Sequence, residues 1–318
     1  MRRAASRSSR RMDGLNVALV NFTYGGGSGS GRNVYLLEKG LKELGVDARV
    51  FHSGNVPHLR LPKTGSLSFA LFSSAKLRGF ELVHIHSPKL FPALLGAERA
   101  VVTVHGGEAE FRRKYGKAAG LLELGLRAFR GRIGAITSVM KAEAERKGWI
   151  WIPNMTDVEA VERIRPSGER YVLFVGRNDP IKNYRLFVEV VRRLGLRYRA
   201  FGVEEVVPWE VVISHMKSAV CLMITSVWEG MPSVMLEAWA SGCPVIANDI
   251  PAFRPFRDAL ILTEPTVEGW LRAFSNLDEK REELIKKGRE LVKEFDYRVV
   301  SKRYLKLYDQ VIGSPEQP

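Results

Sequence analysis

The feature that most constrains the fold is a strand–helix–strand pattern between residues 219 and 247. Residues 219–225 form a continuous apolar run, which is typical of a strand buried on both faces of a parallel sheet. Pro232 suits the first turn of a helix, and Gly242 followed by Pro244 ends that helix before a second apolar run. Such a unit points the free N–H groups of the helix N-terminus at the carboxyl edge of the sheet. The sequence therefore predicts an α/β fold with an anion-binding edge.

Two glutamates, Glu229 and Glu237, flank the turn of this unit. We expect Glu229 on the loop after the strand and Glu237 inside the helix. A carboxylate in such a position can accept two hydrogen bonds from the hydroxyls of a sugar or a ribose. The alternative interpretation is an ordinary loop acid and a solvated helix residue. Four residues follow Glu229 in the turn: Gly230, Met231, Pro232 and Ser233.

At these residues the chain resembles the retaining glycosyltransferases of family GT4. Their hallmark E-x7-E pattern is present as EGMPSVMLE and is continued by AWASGCPVIA. The resemblance implies the GT-B fold, in which two Rossmann-like, doubly wound parallel-sheet domains face an interdomain cleft. It also implies that Glu237 holds the ribose hydroxyls of a nucleotide sugar and that Glu229 contacts a hydroxyl of the transferred sugar. Residues 230–233 would lie against the same sugar donor.

A glycine-rich loop, residues 25–31, follows the first predicted strand at residues 16–22. Without side chains, its backbone N–H groups can approach an anion or a sugar. A dinucleotide-binding Rossmann domain is the main competitor, but the glycines miss the G-x-G-x-x-G register and the second strand ends in His52 rather than an acid. A loop without a ligand is a further alternative. The GT4 resemblance assigns Gly26 and Gly27 to binding of the sugar donor.

Three histidines lie on two further predicted strands, residues 82–86 and 100–105, and each strand ends in one of them. His84 and His86 share one strand face, but no third ligand with fixed spacing accompanies them, so we predict no metal site. His105 resembles the histidine of the GT4 motif VVTVHG, which lies over the sugar near the bond being broken. The resemblance implies a catalytic role for His105, and the alternative is a histidine with purely structural hydrogen bonds.

Two cations occur on the loop after the predicted strand at residues 170–175. Arg177 and Lys182 lie at the same sheet edge as Glu229, and they match the arginine and lysine with which GT4 enzymes grip the diphosphate. We therefore expect Gly176, Arg177 and Lys182 to bind the sugar donor, and the alternative is a pair of solvated surface cations. Asn183 is expected to cap the next helix through its side chain.

Four segments are predicted along the chain. Residues 1–12 form a basic tail that we expect to be disordered, or to precede a true start at Met12. Residues 13–165 form an N-terminal Rossmann-like domain on the acceptor side, and residues 166–298 form a C-terminal Rossmann-like domain for the nucleotide sugar. Residues 299–318 form a helix that crosses back to the first domain, followed by a tail. Residues 202–223 have room for only one helix, which is shorter than the family pattern and leaves the nucleotide base open.

Composition and net charge limit the classes of partner that this chain is expected to bind. The net charge is +14, and five arginines among the first eleven residues leave +9 for the remainder, which suits anionic substrates or anionic lipid. A nucleic-acid-binding protein is disfavoured because no aromatic platforms are interleaved with the charges. The two cysteines form no C-x-x-C pair, which fits a reducing cytosol. No apolar stretch is long enough to span a membrane.

The GT4 resemblance implies a retaining hexosyltransferase, and we expect it to need neither a metal nor a cofactor. It would move a sugar from a nucleotide-diphosphate sugar to a glycan or a lipid-linked acceptor, and the absence of a D-x-D motif favours transfer without a metal. A non-catalytic subunit that binds nucleotide sugars or carbohydrate is the alternative. We expect a cytoplasmic protein. Residues 111–134 combine basic and apolar side chains, as in a core helix preceded by a basic loop or in a contact with anionic lipid at the inner membrane face.

Overall fold

The computed structural model describes residues 14–26, 28–60, 65–106, 116 and 119–313. The chain divides into two compact units. Unit 1 comprises Met1–Val104, Tyr115–Thr137 and Ser301–Pro318, and unit 2 comprises His105–Lys114 and Ser138–Val300. The predicted tail at residues 1–12 and Gly27 of the glycine loop lie outside the described residues.

Unit 1 is built on a sheet whose strands it contributes in the order β2-β1-β3-β4-β5. The pairs β1–β2, β1–β3 and β3–β4 are parallel. Its apolar core packs α2 and the following 3-10 helix against one face of these strands. The elements are β1 Asn16–Val20, α1 Gly29–Glu43, β2 Asp47–Phe51, α2 Gly65–Ser74, β3 Leu82–Ile85, a 3-10 helix Pro88–Gly96, β4 Ala100–Val104, α3 Ala119–Ala128, a 3-10 helix Arg130–Arg132 and β5 Ile133–Ser138.

A buried polar network joins the strands of unit 1 to the final helix of the chain. The His84 ring bonds the Tyr308 hydroxyl through Nδ1 at 2.7 Å and the Thr103 hydroxyl through Nε2 at 2.6 Å. Thr103 is also bonded to the hydroxyls of Thr137 at 2.7 Å and Tyr304 at 3.3 Å. All five side chains are fully or almost fully buried. Buried polar groups are costly without partners, so this network fixes the position of the helix residues that carry the two tyrosines.

Replacing Tyr308 with phenylalanine is expected to lower the free energy of unfolding by about 1–3 kcal/mol, because a nitrogen of the buried His84 ring loses its hydroxyl partner. Urea denaturation would measure the change. Tyr198→Phe serves as the control, since its hydroxyl bonds Glu204 in an exposed setting and its loss should change stability by less than about 0.5 kcal/mol. Equal effects of the two substitutions would contradict a structural role for the network.

Unit 2 is built on a five-stranded sheet in the order β11-β10-β9-β7-β8, with every pair parallel. The strands are β7 Val172–Val175, β8 Tyr198–Phe201, β9 Cys221–Ile224, β10 Val245–Asn248 and β11 Ile261–Thr263. The helices are α4 Lys141–Lys147, α5 Val158–Arg163, α6 Tyr184–Leu194, α7 Trp209–Met216, α8 Ser233–Ser241, α9 Val267–Ser275, α10 Leu277–Val292 and α11 Tyr297–Gly313, with a short strand β6 Ile150–Trp151. The last helix thus starts in unit 2, and its residues from Ser301 onward belong to unit 1.

Alternation along the strands of unit 2 places an apolar core on each face of the sheet. Leu173 and Leu222 contribute to one core with α7 and α8, whereas Phe174 and Met223 contribute to the other with α6 and α9. Successive side chains of a strand point to opposite faces, so a strand that is covered on both faces must be apolar along its whole length. The predicted α/β class with parallel sheets is therefore confirmed.

The two units divide the chain differently from the predicted domains at 13–165 and 166–298. Residues 138–165 group with unit 2, because Val139 and Val161 pack in the core that also contains Met235 and Trp239. His105 belongs to unit 2 as well. No helix within the described part of the chain is both long enough and apolar enough to cross a bilayer.

Candidate functional site

The loops after β7 and β9 lie side by side because β7 and β9 are neighbouring strands. The Thr225 hydroxyl donates to the carbonyl oxygens of Lys182 at 2.9 Å and Asn183 at 3.1 Å, and the Val227 N–H donates to the Ile181 carbonyl at 2.8 Å. These bonds hold the first loop, which carries the predicted cations, against the second loop, which carries Glu229.

A buried amide fixes the start of the second loop. The Asn248 side-chain nitrogen donates to the carbonyl oxygens of Thr225 at 2.7 Å and Ser226 at 3.2 Å. Its Oδ1 accepts from the indole N–H of Trp270 at 2.9 Å. Because an indole can only donate, Trp270 determines which way the amide of Asn248 points.

The ion pair between Lys182 and Glu229 joins the two sequence motifs. Lys182 Nζ lies 2.6 Å from Glu229 Oε1, and the Ser226 hydroxyl donates to the same oxygen at 2.7 Å. The side chains are only 20% and 11% exposed, so the pair is partly withdrawn from solvent. Electrostatic interactions are stronger in such a setting than on an open surface, and an incoming anion could compete for the ammonium group.

Arg177 lies on the same loop as Lys182 and is exposed, as is appropriate for a cation that meets a ligand from solvent. The loop is held close to the end of β8, where the Gly176 N–H donates to the Phe201 carbonyl at 2.9 Å. Gly202 has a positive φ of 86°, and a Cβ atom there would collide with the carbonyl of Gly176. Only glycine therefore allows this close approach without strain.

The turn after Glu229 contacts the His105–Gly106 segment. A Cβ atom on Gly230 would overlap the carbonyl oxygen of His105, and the Trp228 indole N–H donates to the Gly106 carbonyl at 2.8 Å. His105 directly follows β4, and burial lowers the pKa of its imidazole from 6.5 to about 4, against an opposing hydrogen bond to Asn154. The ring is therefore neutral at pH 7. Because burial disfavours the protonated ring, the folded protein binds this proton less readily than the unfolded chain does. The free energy of unfolding is therefore not reduced by His105 above pH about 6.5, and it decreases as the pH falls toward 4.

The second glutamate is buried. Glu237 lies on α8 with 8% exposure, and its Oε1 accepts from the indole N–H of Trp209 at 2.8 Å. The alternative of a solvated helix residue is therefore wrong for Glu237. Pro232 occupies the N-cap position, one residue before the predicted first turn, and α8 begins at Ser233, whose hydroxyl is buried without a hydrogen-bond partner among the described residues.

One local expectation needs correction. Asn183 occupies the N-cap position of α6, but it has a left-handed φ of 48° and its side chain makes no capping bond; Asp179 instead accepts from the Ile181 N–H of the short 3-10 turn.

In the glycine loop of unit 1, the Gly25 N–H donates to the Gly31 carbonyl and the Gly31 N–H donates to the Ser28 hydroxyl. These two amides are therefore used within the loop, and Gly26 is the described glycine of the predicted pair, since Gly27 lies outside the described residues.

The histidines of unit 1 form no metal site with the described residues. The rings of His84 and His86 lie 3.9 Å apart between centroids and are tilted by 33°, but both nitrogens of His84 bond hydroxyl groups. Among the described residues, no group of three or more histidine, cysteine, aspartate or glutamate side chains could hold a metal ion.

Comparison with known proteins now identifies the second half of the chain. The model of the family described as glycosyl transferases group 1 matches residues 160–279. This segment contains Lys182, Glu229 and Glu237. This segment is a group 1 glycosyltransferase domain. The chain is accordingly a glycosyltransferase, and this match is consistent with the resemblance found at the E-x7-E motif.

Two curated relatives belong to the same class of enzyme. The chain is 31% identical to a lipopolysaccharide 1,6-galactosyltransferase of Salmonella typhimurium over 87 residues, which is 27% of this chain and 23% of that protein. It is 23% identical to a phosphatidyl-myo-inositol mannosyltransferase of Mycobacterium leprae over 89% of this chain and 90% of that protein.

Solved structures establish the fold of this glycosyltransferase. A sucrose-phosphate synthase from Thermosynechococcus elongatus matches with a TM-score of 0.75 at 16% identity, covering 94% of this chain and 99% of that one. Anabaena HepE, solved in complex with UDP and glucose, matches with a TM-score of 0.70 at 12% identity, covering 92% and 99%. The predicted GT-B fold is thus confirmed.

Proposed function

We propose that this glycosyltransferase moves a hexosyl group, with retention of configuration, from a nucleotide-diphosphate sugar to a glycan or lipid-linked acceptor. The observation that carries the proposal is the 2.6 Å contact between Lys182 and Glu229. It unites, at the carboxyl edge of one parallel sheet, a cation suited to a diphosphate and a carboxylate suited to a sugar hydroxyl. Ligands of open α/β sheets bind at this edge.

The positive groups of unit 2 would stabilise the leaving group. As the bond to the anomeric carbon breaks, negative charge grows on the diphosphate, and Arg177, Lys182 and the amide groups at the start of α8 can meet it. The leaving phosphate oxygen would accept the proton of the attacking acceptor hydroxyl on the same face of the sugar, so no covalent intermediate is needed. Since two protein cations face the diphosphate, we propose that neither a metal nor another cofactor is required.

The carboxylates would orient the nucleotide sugar. Glu237 is buried on α8 and held by Trp209, which suits a fixed acceptor for the ribose hydroxyls. Glu229 would accept from a hydroxyl of the transferred sugar once the diphosphate engages Lys182. His105 would contact the same sugar, because its segment lies against Gly230.

A panel of nucleotide sugars tests this function. The protein would be incubated with UDP-, GDP- and ADP-hexoses, with and without glycan and lipid-phosphate acceptors, in buffer containing EDTA. We expect one donor to release free nucleotide in an acceptor-dependent way and the product to keep the anomeric configuration of the donor. Binding of a nucleotide without turnover under any condition would support the non-catalytic subunit instead.

The membrane contact at residues 111–134 remains a proposal of its own, and the protein would then work on the cytoplasmic side of a membrane. In the described part, Leu126 and Phe129 pack against the core of unit 1, whereas Leu124 on α3 is 60% exposed and basic residues Arg127, Arg130 and Arg132 follow. Residues 107–115 and 117–118 lie outside the described residues. Sedimentation with anionic vesicles at low salt would detect the contact, and Leu124→Asp should weaken it.

A further inference from the structure

Asn154 is a buried residue of unit 2 that no step of the proposed transfer uses. It lies between β6 Ile150–Trp151 and α5 Val158–Arg163 and is 6% exposed. Its side-chain nitrogen donates to the carbonyl oxygen of Met231 at 2.6 Å. Because a carbonyl can only accept, this bond fixes the orientation of the amide and turns the Asn154 oxygen away from Met231.

The other partner of Asn154 is the imidazole of His105. Their side chains are hydrogen-bonded, and this bond raises the pKa of His105 against the larger lowering effect of burial. A bond that favours the protonated ring is one in which a ring N–H donates to an acceptor, since an amide donor on the ring lone pair would have the opposite effect. The bond to Met231 leaves the Asn154 oxygen available to accept from the ring, and the direction of the pKa effect fits a ring N–H that donates to this oxygen.

We propose that Asn154 is a positioning residue that holds His105 in a single neutral tautomer, with one ring N–H directed at the Asn154 oxygen and the second ring nitrogen a hydrogen-bond acceptor. The anchor is the turn that carries Glu229, because Asn154 binds the carbonyl of Met231 two residues later. Resting on the proposed function, this arrangement would let the second nitrogen accept from a hydroxyl of the transferred sugar.

The tautomer can be measured without any substrate. The chain has six histidines, so long-range ¹H–¹⁵N correlation spectra of ¹⁵N-labelled protein, with His105→Gln for assignment, would resolve the His105 ring. At pH 7 we expect one protonated and one unprotonated nitrogen, characteristic of one tautomer. Averaged shifts from two tautomers, or a protonated ring, would overturn the proposal.

A substitution at Asn154 provides a second test of the inferred contact with His105. Asn154→Asp gives up the donor to Met231 but places a carboxylate of nearly equal volume beside the ring, so the titration midpoint of His105 should rise by about one pH unit or more. The exposed Asn276→Asp adds the same charge to unit 2 and should leave the midpoint unchanged. An unchanged midpoint in Asn154→Asp would show that the two side chains do not interact in the inferred way.

Kinetics separates this inference from the proposed function. With the donor found in the panel, Asn154→Ala should lower kcat by about tenfold, while the Kd of the free nucleoside diphosphate (UDP, GDP or ADP, as the panel shows) stays within twofold of wild type. A loss of nucleotide affinity equal to the loss of kcat would indicate a collapsed site rather than a positioning role. If the panel shows no transfer but the single tautomer is present, the proposed function fails and the role of Asn154 stands.

Discussion

Replacing Lys182 with methionine is expected to lower kcat by about 100-fold. The substitution keeps most of the length of the side chain but removes the ammonium group that lies 2.6 Å from Glu229. A charge-assisted hydrogen bond is worth about 1.5–3 kcal/mol, and a bond that strengthens as the diphosphate leaves is lost mainly from the transition state. Release of free nucleotide from the donor found in the panel would measure the effect.

The matched control is Lys286→Met, which removes an exposed lysine from α10 in the same unit and should leave kcat within twofold. Because Ser226 still donates to Glu229 in the Lys182 variant, the loop should remain folded, and unfolding curves would verify this. A Lys182 variant that keeps more than a third of the wild-type kcat would contradict the role given to this lysine.

Replacing Gly230 with alanine is expected to have a comparable effect for a steric reason. The added Cβ would overlap the carbonyl oxygen of His105 and approach a side-chain methyl of Val139 at 3.1 Å. The turn and the His105 segment must then move apart, with a cost of about 1–3 kcal/mol in stability. Displacement of reacting groups by about 1 Å can cost about 100-fold in rate. We therefore expect a large loss of kcat in a variant that is still folded.

Gly131→Ala provides the comparison, because a Cβ at Gly131 meets no atom within 4 Å and its φ lies outside the left-handed region. Circular dichroism would follow unfolding of both variants, and nucleotide release would follow activity. If Gly230→Ala is as stable and as active as Gly131→Ala, the close approach of the two segments does not exist in solution.

The elements that the sequence predicted are those with strong local patterns. The apolar run at residues 219–225 contains β9, Cys221–Ile224, and the run at residues 170–175 contains β7, Val172–Val175. Strand β9 is shorter than its run by two residues at the start and one at the end, and β7 is shorter by two residues at the start. The position of Lys182 beside Glu229 was also predictable, since neighbouring parallel strands end at the same edge of the sheet.

The contacts that the sequence missed are long-range ones. Trp228 reaches Gly106, 122 positions earlier in the chain, and Asn154 reaches Met231, 77 positions later. Neither pair has a local signature, because an indole or an amide in a loop is compatible with many partners. The predicted side-chain cap of α6 was wrong for a different reason. Asn183 also ends the preceding 3-10 helix Pro180–Lys182, where it has a left-handed conformation, and its side chain makes no capping bond.

The link from Trp270 through Asn248 to the Glu229 loop has a consequence for protein engineering. Trp270 is fully buried on α9, so a redesign of the apolar core would treat it as a residue that only fills space, although its indole N–H binds Asn248. Exchanging it for phenylalanine or leucine would free the Asn248 amide to rotate and present an oxygen to two carbonyl groups. Libraries intended to broaden the range of sugars accepted should therefore keep this tryptophan and vary the loops.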